Sequence, residues 1–413
     1  MEIQFGNAIV GQSGGPTAAI NATLAGVIEG VADAQKAGRI GKLYGMKNGM
    51  EGLLSEQLLD LDASFSDHQK IEVLKNTPAS ALGSCRKKLP EPLSDPGLYA
   101  DILRIFRQYD IRYFFYIGGN DSMDAVAKLS AYFAQEDYAI CVIGVPKTID
   151  NDLVCTDHTP GFGSAAKYIA TTVQEIVRDC AVYTVRAVTI IEIMGRDAGW
   201  LTAAAGLPGA INGSGVDYLY LPERPFDLEA FFADIAAAFE KHPNVVIAVS
   251  EGLRDADGHY VGAGTQSGVA DVFGHQYLSG TGKMLEHAVK ERFGCKVRSV
   301  ELNLPQRCAA HLASATDLGE SVAVGRHAVK LALAGETGCM ATILREGTAP
   351  YAAGYGAAPV AEVANAVKHV PQDYINEAGN GISDACVAYL RPLIAGEVTP
   401  LYENGLPAHC VLI

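Results

Sequence analysis

The sequence predicts an α/β fold built on a mainly parallel sheet. Three observations carry that expectation. Short apolar runs alternate with helix-like stretches, and at least three of those runs stop in loops rich in glycine or acids. A chain of 413 residues, 49% hydrophobic and 19% charged, also has material for two or three ordinary cores. In such folds the carboxyl ends of the strands line the crevice that holds the chemistry. The richest of these ends is Pro146–Asp152, PKTIDND, after the apolar run Tyr138–Val145. On an extended backbone alternate side chains face one side, so Asp150 and Asp152 can share a pocket while Asn151 pins the loop. One carboxylate is a candidate proton acceptor and the other a candidate partner for a cation. The same residue types also suit a solvated turn.

Taken in order, Asn7–Gly11 reads as a buried strand that enters GQSGGPT and then a helix over Ala18–Gly30. Without side chains at Gly14 and Gly15, an anion can approach backbone N–H groups at the start of that helix, with Pro16 and Thr17 in its first positions. Glycine also serves tight turns for geometry alone. Leu43–Gly49 suits a second strand, and LGSCRKKL at 82–89 puts Arg86, Lys87 and Lys88 together, either a phosphate contact or a solvated basic face. Gly97–Tyr109 has helical periodicity. Arg112–Ile117 is a β-prone run ending in GGNDS, where Asp121 or Ser122 is placed to cap a helix over Met123–Gln135. With Tyr138–Val145, three strand ends then meet at one edge of a parallel sheet.

Beyond Asp152, a glycine-opened segment at 159–179 continues as a long helix. Ala187–Ile193 is another buried strand, ending in Met194, Gly195, Arg196 and Asp197. Arg196 is placed there to hold an oxyanion with its fork of donors, or to pair with Asp197 or Glu192. Further strands are expected at Asp217–Leu221, Val245–Val249, Lys296–Leu302 and Met340–Leu344. Helices are expected at Leu228–Lys241, Leu278–Phe293 and Asp317–Ala334, with a loop at Gly262–Gly268. Glu251 follows one strand, and Arg298 and Arg307 bracket another segment. The last fifty residues suggest no chemistry.

A formal net charge of −15 argues against a nucleic-acid partner, since phosphate backbones are bound by basic surfaces. An anionic substrate would need local cations. Nine cysteines without a CxxC pair suggest reduced thiols in a cytosolic protein. The uncharged stretch Ile3–Ile28 is interrupted by Asn7, Gln12, Ser13, Pro16 and Asn21, so no membrane segment is expected. Ten scattered histidines offer little to a zinc site or a catalytic triad.

Taken together and in order, GQSGGPT, GGNDS, PKTIDND, GFGSA, EIMGRDAGW, PER and SEG resemble the phosphofructokinase family, with a weaker match through RSVELNLPQR to Arg307. The resemblance implies two similar three-layer α/β domains with mainly parallel sheets facing a central cleft. The expected division is a donor domain at 1–160 completed by 308–350, a sugar-phosphate domain at 161–307, and an extension at 351–413. It further implies that Asp150 is the general base toward the 1-hydroxyl of fructose 6-phosphate. Thr148, Ile149, Met194, Gly195, Arg196 and Glu251 would contact the sugar, with Arg298, Leu304 and Arg307 around its 6-phosphate. Gly14, Gly15, Arg86 and Lys147 would hold the donor, and Asn120 and Asp121 a magnesium ion, directly or through water. Some arginines of the family reach across a subunit interface, which suggests a homodimer or homotetramer.

Two positions bear on the donor. ATP-dependent members usually read GGDGS and PGTIDND; here Asp121 and Lys147 stand where those have glycine. A carboxylate at Asp121 would fill and repel the place of a nucleotide's α-phosphate, and Lys147 would put a cation beside the transferring or leaving phosphate. The pattern resembles the pyrophosphate-dependent branch. An ATP-dependent kinase and a non-catalytic regulatory subunit of the same fold are the rivals. Asn120 replaces a magnesium-linked Asp, Leu304 replaces a histidine of the nucleotide branch, and Cys308 follows Arg307 where glycine is usual.

Overall fold

A computed structural model describes residues 5–262 and 280–412. It contains a seven-stranded sheet and a four-stranded sheet, besides a two-stranded ribbon near the C-terminus. The large sheet draws on β1 (Asn7–Gln12), β2 (Leu43–Met46), β3 (Leu58–Asp60), β4 (Ile111–Gly118) and β5 (Cys141–Pro146). The small sheet follows in the chain, with β6 (Ala187–Ile193), β7 (Tyr218–Tyr220), β8 (Asn244–Ser250) and β9 (Lys296–Glu301) in the parallel order β7-β8-β6-β9. The chain then returns to the large sheet with β10 (Cys339–Thr348) and β11 (Tyr351–Pro359), giving the order β11-β10-β5-β4-β1-β2-β3. Only the two edge pairings, β2 with β3 and β10 with β11, are antiparallel in that sheet.

Inner strands such as β4, β5 and β6 are apolar at nearly every position because both faces are covered. In β4, Tyr113, Phe115 and Ile117 enter one core while Phe114 and Tyr116 enter the other. In β6, Val188 and Ile190 face one core and Ile191 and Ile193 the opposite one. The edge strand β9 lacks this cover and alternates between exposed and half-buried residues. One core is closed by the helix Ile20–Lys36 against the helix Ala315–Leu333. They meet at two glycines: a Cβ on Gly26 would lie 2.1 Å from Val322 O, and one on Gly325 2.3 Å from Thr23 O.

Several elements differ from expectation. A division at residue 350 would cut between β10 and β11, whose partners run from Cys339↔Pro359 to Thr348↔Tyr351. The helix after β4 is Asn120–Gln135, starting three residues early with Gly119 at its N-cap, so neither Asp121 nor Ser122 caps it. The helix after β1 begins at Ile20, and Thr17 precedes it as a brace, its Oγ1 accepting from Ala19 N and Ile20 N. β2 ends at Met46, before Asn48 turns left-handed at φ 56°. The expected loop at Gly262–Gly268 and the expected helix start at Leu278 fall largely outside the described residues. Among the described residues, no helix is long and apolar enough to cross a membrane.

Candidate active site

The carboxyl ends of β1, β4 and β5 face those of β6, β8 and β9 across a cleft of about 950 Å³. Gly14, Gly15, Arg86, Asn120, Asp121, Lys147, Thr148, Ile149, Asp150, Met194, Arg196, Glu251, Leu304 and Arg307 all line it.

One wall is a cradle of backbone and cations. Gln12, at the end of β1, is fully buried and fixes the loop, donating to Asn21 Oδ1 at 2.9 Å and accepting from Leu82 N at 3.0 Å. Gly14 then turns left-handed at φ 75°, a conformation that disfavours a side chain. At Gly15 an added Cβ would lie 3.2 Å from Arg307 Nη1, so the glycine leaves room for that guanidinium. Lys147 is buried and donates from Nζ to Gly15 O at 2.6 Å. Burial pushes its pKa down to about 8; Asp150 and Asp152 pull it up, and Arg307 and Arg86 push it down. Three cations thus converge on a glycine loop, which is the arrangement that receives a multiply charged phosphate.

Asp150 sits beside this cradle. Its backbone N donates to Thr148 Oγ1 at 3.1 Å, and Thr148 is anchored to the next segment through Thr148 N to Pro160 O and Thr159 Oγ1 to Thr148 O. Burial, then the neighbouring Asp152, pushes the Asp150 carboxyl well above the usual carboxylate range. Burial does the same to Asp152. Asp121, in the first turn of its helix, pairs at 3.8 Å with the half-exposed Lys88. Asn120 is used differently: its Nδ2 donates to Ala366 O and its Oδ1 accepts from Asn365 N, each at 2.6 Å. Both ends of that amide are held by backbone, the geometry of a clamp.

The other wall is acidic and knitted by side chains. Gly195, at φ 141°, lies just behind the lining and donates its N–H to Glu251 Oε1 at 3.2 Å. Its carbonyl accepts from Ser250 Oγ at 2.5 Å. Burial pushes Glu251 up to about 7, against the hydrogen bond from Gly195. Met194 N donates to Gln306 Oε1, whose amide donates to Asn303 O, so Gln306 ties the loop after β6 to the loop after β9. Asp197 pairs with Arg254 at 2.8 Å.

Arg298 is not with the others. It lies three residues before the carboxyl end of β9, exposed, lining a small pocket of about 40 Å³ with Lys296 and Tyr183. Three parallel-strand residues put it roughly 10 Å back from the cleft edge. That offset could have been counted from the strand end in the sequence. The cleft also takes in Asp152, Glu192, Asp197, Glu301, Asn303, Gln306, Asn365 and Val367. The last two come from a stretch with no strand or helix pattern.

For a metal, the three-ligand clusters among the described residues, Glu29/His68/Glu72 and Asp255/Asp257/His259, lie outside the cleft. Inside it, Asp121, Asp150 and Asp152 supply carboxylate oxygens. A hard divalent ion shared with phosphate oxygens needs only one or two of these, so the donor set fits such an ion.

Two facing, mainly parallel sheets, with a cationic glycine cradle opposite an acidic wall and a buried carboxylate between them, define an α/β protein built for phosphate handling. The chain belongs to the phosphofructokinase family: the family model described as Phosphofructokinase matches residues 7–332. It is similar to a pyrophosphate--fructose 6-phosphate 1-phosphotransferase of Halomonas elongata, 44% identical over 97% of this chain and 94% of that protein. One from Methylococcus capsulatus is 41% identical over 98% and 96%. A crystal structure of a pyrophosphate-dependent phosphofructokinase from Nitrosospira multiformis superposes with a TM-score of 0.88 at 38% identity, covering 98% of this chain and 96% of that one.

Proposed function

We propose that the protein transfers a phosphoryl group reversibly from pyrophosphate to the 1-hydroxyl of fructose 6-phosphate, giving fructose 1,6-bisphosphate and phosphate. The observation that carries this reading is Lys147, buried in the glycine cradle with its Nζ 2.6 Å from Gly15 O, beside Asp150 and Asp152. As the 1-oxygen bonds to phosphorus, Asp150 takes its proton and the bridging P–O bond breaks. The departing phosphate keeps that electron pair, and Lys147 and Arg86 face the charge that gathers there. A carboxyl whose pKa is raised toward the working pH is the stronger base for the task. Phosphoryl transfer depends mainly on positioning and charge stabilisation, and the cradle supplies both.

Arg196 on the opposite wall and Arg307 at the cradle would hold transferring and sugar phosphates, and Glu251 the sugar hydroxyls. Met194, Gly195, Thr148, Ile149 and Leu304 shape the sugar's seat. Arg298 would reach a 6-phosphate only from a second copy of the chain, and a homodimer or homotetramer supplies one. A magnesium ion held by Asp121 and the Asp150–Asp152 pair with the donor's oxygens would neutralise phosphate charge. Asn120 serves as the clamp on the Asn365–Ala366 backbone. Nine cysteines, none in a disulfide, suit the cytoplasm. The donor domain would be residues 1–160 with the returning segment through β11, and the sugar domain 161–307.

Purified protein with magnesium and fructose 6-phosphate, given pyrophosphate or ATP, tests the reading. Fructose 1,6-bisphosphate should form with pyrophosphate. Turnover with ATP alone would overturn the donor, and silence with both would overturn the activity.

A further inference from the structure

Along one side of the cleft runs the irregular segment 365–370, which touches the loops that carry Asn120, Asp152 and Arg196. At its start it clamps Asn120 through Asn365 N and Ala366 O. Lys368 N then donates to Asp152 O at 2.8 Å. On its other side, Lys368 O accepts from Trp200 Nε1 at 2.9 Å, and His369 Nδ1 lies 2.8 Å from Asp197 O. Val370 N and Gly199 N both donate to Glu223 Oε1. The segment is thus a strap joining the donor-side loops to the loop that carries Arg196.

The Lys368 side chain points into the body of the protein and is absent from the described residues that line the cleft. Its ammonium has three N–H donors and meets three acceptors: Asn151 Oδ1 at 3.3 Å, Thr156 O at 3.3 Å and Asp157 O at 2.6 Å. It also stands 5.1 Å from the centre of the Trp200 ring. Asn151 is fully buried, and its Nδ2 donates to Tyr389 Oη at 2.9 Å. The Tyr389 hydroxyl in turn donates to Asp157 O at 2.6 Å. Asn151 is left-handed, with φ 53°, between Asp150 and Asp152. A rotation of its backbone would therefore swing both carboxylates.

We propose that Lys368 is a positioning residue for the reaction: by gripping Asn151 from behind, with Tyr389 as second holder, it sets where the Asp150 carboxylate points. The inference rests on the activity proposed above. A lysine suits the post because a neutral apolar side chain of the same length would offer none of the three acceptors a hydrogen bond, leaving Asp157 O to the Tyr389 hydroxyl. A displacement of about 1 Å in a reacting group can cost roughly 10²-fold in rate. Such a displacement should lower kcat and spare substrate binding, because the cradle and the acidic wall are untouched.

The test compares Lys368→Met and Tyr389→Phe with the wild type in the pyrophosphate assay, alongside thermal unfolding. Lys368→Met should lower kcat by about 10–10²-fold with both KM values within about 2-fold, and Tyr389→Phe should move kcat the same way by less. A silent wild type defeats the activity itself. With an active wild type, unchanged kcat in a folded Lys368→Met overturns the positioning role whatever happens to its Tm. So does a loss carried by the KM for fructose 6-phosphate. Should Lys368→Met fail to fold, Tyr389→Phe decides, because it keeps the ring packed on Trp200 and removes only the hydroxyl: a kcat equal to wild type overturns the inference.

Discussion

The two walls of the cleft are made differently. The donor-side wall is mostly backbone: Gly14, Gly15 and the start of the helix Asn120–Gln135, with Lys147 locked onto a carbonyl of that same loop. The opposite wall is mostly side chains that hold one another, Glu251 on Gly195 and Gln306 between Met194 and Asn303. A backbone cradle with a buried cation suits a small, symmetric, highly charged ligand. A network of side chains suits a ligand with a pattern of hydroxyls. The donor wall is also assembled within one chain, whereas the sugar wall lacks Arg298, which faces outward.

Substitutions can separate the walls. The largest effect is expected at the boundary between them. Asp150→Asn should lower turnover by about 10²–10⁴-fold, with KM values largely kept. The same change should raise Tm at neutral and alkaline pH. Because the folded protein raises the pKa of Asp150, its stabilising contribution is complete below the unfolded pKa and is lost as pH rises through the folded one. Above that point an ionised buried carboxylate opposes folding, and the amide removes it. The gain in Tm should therefore vanish in acid, and a scan of Tm against pH for both proteins checks this. For the same reason, wild-type turnover should fall as pH drops, at a pH above the ordinary carboxylate range.

Next in size, Lys147→Met should cost about 10²–10³-fold in turnover and raise the KM for pyrophosphate while leaving that for fructose 6-phosphate. Glu251→Gln should do the reverse, raising the KM for fructose 6-phosphate by about 10-fold, in keeping with about 1.5 kcal/mol for a hydrogen bond to a charged group. Steady-state kinetics with each substrate varied in turn distinguishes the two; a shared pattern would erase the contrast between the walls. The smallest effect is structural. Asn120→Asp turns a donor into an acceptor against Ala366 O, and should lower stability by about 1–3 kcal/mol in denaturant titration without sharpening the metal requirement.

Much of this was legible in the sequence, for physical reasons that differ by element. β4, β5 and β6 are buried on both faces and so read as unbroken apolar runs, and their ends are marked by residues disfavoured in strands, such as Gly119 after β4 and Pro146 at the end of β5. Glycine loops and the Asp150 loop could be found because each is short and local. Asn120 was a candidate metal ligand because it stands where the family resemblance puts a magnesium-linked Asp; that its amide is gripped by Asn365 and Ala366 depends on residues some 245 positions away. The strap itself left no trace, since it works through backbone N–H and C=O groups, which every residue has. The side chains of Lys368 and His369 on the strap, and of Tyr389 behind it, lie near no motif. Arg298 was placed at the 6-phosphate by resemblance, and its distance along β9 keeps it out of its own chain's cleft.

We infer that the donor wall chooses pyrophosphate through Asp121 and Lys147. The most direct measurement is kcat/KM for pyrophosphate and for ATP in the wild type and in the Asp121→Gly, Lys147→Gly double variant. The account predicts a strong preference for pyrophosphate in the wild type, and in the variant a loss of pyrophosphate turnover with a gain in use of ATP. An unchanged ratio of the two donors would contradict it.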